Sequence, residues 1–103
     1  MTSEKWKKLS QDEQNSIILH WVDPTTEATP ESVHISQEIG MLGIAPDFVN
    51  DLNSMNEAVT QMVVKDMKKY DKFRINLLRV SLRPLVATAA QRAEAFVLTM
   101  EPE

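Results

Sequence analysis

Phe73-Arg74-Ile75-Asn76-Leu77-Leu78-Arg79-Val80-Ser81-Leu82 is the stretch whose conformation decides the fold class. Phe73, Ile75 and Leu77 alternate with polar residues, as they would along a half-buried strand. Ile75, Leu78, Leu82, Leu85 and Ala89 instead recur at spacings of three and four, as they would along one side of a helix. The helix is preferred, because nothing else in the chain reads as a strand of comparable quality and a lone strand has no partner for its backbone. Pro84 is expected to end or kink this helix near Arg83. Val86 to Met100, rich in alanine and carrying Gln91, Arg92 and Glu94, reads as the last helix.

Upstream, Ser54-Met55-Asn56-Glu57 has the form of a capping box, a hydroxyl and a carboxyl that satisfy each other's backbone amides at a helix start. It is expected to open an amphipathic helix whose apolar side carries Val59, Met62, Val63, Met67 and Tyr70. Pro46 is expected to begin a short helix with Phe48, Val49 and Leu52 facing inward. A helix capped by Thr29, with Pro30 and Glu31 in its first turn, is expected to reach Leu42, with Gly43 closing it. Nearer the start, Ser10-Gln11-Asp12-Glu13 is another capping box, opening a helix with Ile17, Ile18, Trp21 and Val22 that Asp23-Pro24 ends. The fold class expected is all-α: a compact bundle of about five helices. With 103 residues the chain suits one domain, residues 1–9 forming a flexible basic tip and 101–103 a tail.

The chemistry the sequence lacks narrows the function. No cysteine is present, so disulfides, thiolate nucleophiles and zinc–thiolate sites are excluded. No glycine-rich phosphate loop occurs, and His20 and His34 are the only histidines. His34 and Glu38 are one helical turn apart, a pairing that makes a borrowed metal the weakest of the functional readings, since two ligands do not build a site. No enzyme activity, cofactor or metal is expected. Neither a secretory signal nor an apolar run of membrane-spanning length is read, and a cytoplasmic location is expected.

Charge is segregated along the chain. Between Leu9 and Val64 there is no lysine or arginine but nine acids, Asp47, Asp51 and Glu57 among them. From Lys65 to Arg92 eight basic residues, including Lys65, Lys68, Lys69, Lys72, Arg74, Arg79 and Arg83, face only Asp66 and Asp71. Such polarity creates a field that orients a partner or a second copy of the chain. The lysines are expected along one side of the amphipathic helix, continued by the arginines as a basic stripe.

Leu42-Gly43-Ile44-Ala45-Pro46-Asp47-Phe48-Val49-Asn50-Asp51-Leu52 resembles the turn and second helix of a helix-turn-helix motif, with Gly43 at the turn, Pro46 starting the helix, and Val49 and Leu52 facing the core. The resemblance implies a helix pair in the middle of the chain and, in that family, a second helix that enters the major groove. Here that helix carries Asp47 and Asp51 and no basic residue, so phosphates would repel it and its expected use is packing or protein contact. The function expected is therefore a non-enzymatic protein–protein interaction module, a regulator, inhibitor or assembly factor. Its candidate surfaces are an acidic face (Asp47, Asp51, Glu57), the basic face (Lys65 to Arg83), and a helix–helix interface at Ile75, Leu78, Leu82 and Leu85. The alternative is a DNA-binding regulator whose basic helix grips phosphates. A protein partner is expected first and nucleic acid second; no membrane partner is expected, and a homo-oligomer is favoured over a monomer.

Overall fold

The computed structural model describes residues 1–24 and 47–101. Among these the regular structure is helical, with no strand: α1 (Ser3–Lys8), α2 (Gln11–Val22), α3 (Leu52–Lys65), α4 (Lys68–Val80) and α5 (Ala89–Met100), with a 3-10 turn at Pro84–Val86. The all-α expectation holds, and the stretch from Phe73 to Val80 is helix. The helix expected from Thr29 to Leu42, Gly43 and the start at Pro46 lie outside the described residues.

Local chemistry sets most helix starts. Ser10 Oγ accepts from the Glu13 amide at 3.2 Å while the Glu13 carboxylate accepts from the Ser10 amide, so the capping box that opens α2 is formed. Thr88 and Gln91 form a second such box at the start of α5. Thr2 caps α1, whose residues the sequence reading treated as a flexible tip; its Trp6 is buried.

Several expectations are corrected. The box at Ser54–Glu57 does not form: Asp51 caps a helix that begins at Leu52, accepting from the Asn53 amide and from the Ser54 hydroxyl. The short helix ahead of it is a single turn over Asp47–Asn50, closed by the Asp51 amide donating to the Asp47 carbonyl at 2.8 Å. Phe48 and Val49 are buried there as expected, but Leu52 is exposed.

The amphipathic helix expected to run through Tyr70 is broken in two. Asp66 leaves the helical region at φ −154°, and its side chain accepts from the Lys68 amide, starting α4 from outside α3. An aspartate offers its neighbouring amides a local alternative to the helical ladder, and here it makes the corner. Met67, assigned to the apolar side, is consequently exposed. At the other end α4 stops at Val80, with Ser81 as its cap, ahead of the expected limit near Arg83.

α5 lies in the middle of the packing: Ala93, Ala95, Phe96 and Val97 are all but inaccessible to water. Its alanines let neighbouring helices approach, and its contact with α4 is the most extensive in the structure. Ile18, Met55, Met62, Phe73 and Leu77 supply the facing apolar surface. Asn15 of α2 is buried among them, its amide donating to Asp47 Oδ1 at 3.0 Å and accepting from the Val49 amide, which fastens the turn before α3 to α2.

Candidate functional site

The residues proposed as an acidic face do not act together. Asp47 accepts from Asn15 and Asn50, Asp51 is the α3 cap, and only Glu57 lies exposed without such a role. The hydrogen bond from Ser54 holds the Asp51 carboxyl below its ordinary value of 3.8, against the opposing effect of desolvation and with lesser help from the backbone amides of Asn53 and Ser54. Two of the three carboxylates are thus engaged in holding the fold.

The basic residues are dispersed as well. The bend at Asp66 turns Lys65 and Lys69 toward a cleft shared with Trp21, Val22, Phe96 and Met100, where the Lys69 ammonium lies 3.8 Å from Met100 Sδ. Lys72 and Arg79 line a different cleft, between α1, α4 and α5. Arg74 lines a third. Lys68 and Arg83 are exposed and line none of these three clefts. The basic residues expected along one helix are therefore divided between α3 and α4, with Arg83 beyond the end of α4.

The four apolar residues Ile75, Leu78, Leu82 and Leu85 are all solvent-exposed, by 54%, 58%, 100% and 94%, although nothing in their spacing distinguishes them from core positions. α4 is apolar on more than one side, and the side it buries is that of Phe73 and Leu77. Leu78 and Leu85 share a groove of about 320 Å³ with Val59, Tyr70 and the inward-facing Phe73 and Leu77. Arg74 and Arg92 complete its lining. The Arg74 guanidinium lies 5.9 Å from the centre of the Tyr70 ring, which stacks on Phe73 at 6.5 Å. Arg92 donates to the Ala87 carbonyl and to Asn56 Oδ1, which fixes it at the groove's other side. Ile75 faces the cleft of Lys72 and Arg79, and Leu82 lines neither.

The groove is apolar at its base and cationic at its edge, a surface that takes an apolar side chain and a carboxylate together. Sequence reasoning singles out Leu78, Leu85 and Arg74 as surface residues; it puts Val59 and Tyr70 on the packed side of one helix and does not connect Arg92 with them, because Arg92 reaches the groove from α5. His34 and Glu38, the pair considered for a metal, lie outside the described residues. No helix among the described residues is long and apolar enough to cross a membrane. No family model matches the chain, and no curated protein or solved structure is detectably similar to it.

Proposed function

We propose that this protein is a non-enzymatic interaction module whose docking site is the groove of Tyr70, Leu78 and Leu85, and that its partner is an acidic amphipathic helix of another protein. The observation that carries the reading is the run of exposed aliphatic side chains from Ile75 to Val86 on a segment crowded with arginine. Large apolar side chains left open to water, as Leu78 and Leu85 are in this groove, mark interaction sites when they are grouped. Arg74 and Arg92 beside the groove select the sign of the partner's charge. A symmetric pairing of two copies through this groove would set arginine against arginine, so charge favours a heterologous partner over a homodimer at this face. A phosphate-tracking role fits less well, because the cations are divided among separate clefts and this one has an apolar base.

The test is fluorescence anisotropy with a labelled helical peptide carrying leucines at i, i+3, i+4 and i+7 and glutamates elsewhere. Binding is expected for the acidic peptide and not for a lysine version of the same pattern. Leu78→Ser with Leu85→Ser is expected to weaken it roughly tenfold or more, since each removes an apolar anchor from the centre of the contact. No preference for the acidic peptide, or affinity untouched by the serine pair, would refute the docking site. A mobility shift with duplex DNA that falls steeply with salt would replace it with the nucleic-acid reading.

A further inference from the structure

The cleft between α1, α4 and α5 is separate from the docking groove and has a different character. It has a volume of about 600 Å³ and is lined by Lys7, Lys72 and Arg79 together with Asn76, Thr99 and Glu94. Glu94 is only 6% exposed, and its Oε1 atom is buried with no hydrogen-bond partner among the described residues. An unsatisfied buried carboxyl oxygen is costly, and such groups recur where a ligand supplies the missing donor. Asn76 and Thr99 beside it are already engaged, Asn76 Nδ2 donating to Thr99 Oγ1 at 3.0 Å and Thr99 Oγ1 donating to the Ala95 carbonyl. They hold the wall in place beside the Glu94 carboxylate.

We infer that this cleft binds a small zwitterion, its ammonium donating to Glu94 and its carboxylate or phosphate held by Lys7, Lys72 and Arg79. A plain anion would satisfy the three cations and leave Glu94 Oε1 without a donor. A plain amine would meet the three cations with its own positive charge. A molecule with both ends matches both signs of charge in the lining, and α-amino acids and phosphoethanolamine are of this class.

Isothermal titration of the protein with the twenty amino acids and phosphoethanolamine tests this, with inorganic phosphate and ethanolamine as the two half-ligands. At least one zwitterion is expected to bind with a stoichiometry of one and roughly tenfold or more tighter than either half-ligand, the gain of one further charge-assisted hydrogen bond. Glu94→Gln is expected to remove that advantage while leaving the weaker phosphate binding in place. Lys72→Ala, an exposed position whose loss leaves the core intact, is expected to weaken both. Should Glu94→Gln fail to fold, Lys72→Ala and Lys7→Ala carry the test, read by amide chemical-shift changes at Asn76 and Thr99 on titration. The inference is overturned if no zwitterion binds, if phosphate alone binds as tightly, or if the substitutions leave affinity unchanged.

Discussion

Single residues in this protein hold positions that their neighbours in sequence do not explain. Asn15 joins α2 to the turn before α3 through both ends of its amide. Asn15→Leu is expected to cost about 1–3 kcal/mol, because the Val49 amide loses its acceptor in a buried place, and chemical denaturation will measure it. Asp51 carries a pH prediction. Its folded value lies below 3.8, so its contribution to stability is complete above the unfolded value and lost as pH falls through the lower folded one. Carboxyl-carbon NMR should place its midpoint below 3.8, and Ser54→Ala should move it back up. The Ser10 box was legible because it is wholly local. At Ser54–Glu57 an equally local competitor decides the outcome: Asp51, three residues earlier, takes the cap and uses the Ser54 hydroxyl as its own donor. Thr88 and Gln91 have the same T-x-x-Q pattern that the rule describes, and were passed over inside a stretch read as continuous helix. Thr88→Ala is expected to destabilise by about 1 kcal/mol.

At the scale of elements, periodicity identified helices well and their limits poorly. The choice of helix over strand at Phe73 to Val80 rested on there being no partner strand, and the structure agrees. The division between α3 and α4 was hidden because the apolar spacing continues across it, while one residue, Asp66, supplies the competing hydrogen bonds. That break matters for the site. It turns α4 so that Tyr70 and Arg74 meet Val59 of α3 in one groove, and it puts Lys65 on a different helix from Lys69 and Lys72.

For the whole molecule, stability is expected to divide sharply between enclosed and exposed apolar residues. Phe96→Ala should cost about 3–5 kcal/mol, since it empties a fully enclosed position in α5. Leu82→Ser should change stability by no more than about 0.5 kcal/mol, because that side chain is fully exposed. Thermal or urea unfolding of the two variants checks both. A large loss from Leu82→Ser would mean that the exposed aliphatic run belongs to the core, and the docking proposal would fall with it.

The sequence by itself determined that this chain is helical, where α2 starts, and that its charges are sorted along its length. Those properties depend on residues within a turn or two of each other. Only the tertiary structure decided which apolar side of α4 is buried, because Phe73–Leu77 and Ile75–Leu78 are equivalent as patterns and differ only in what packs against them. α5, narrow along its alanines, takes the former, and the latter is left facing water. The tertiary structure alone also brought Arg92 to the groove edge and set Glu94 in the cleft with Lys7 and Lys72. These neighbours are distant in sequence, and no local spacing records that they meet.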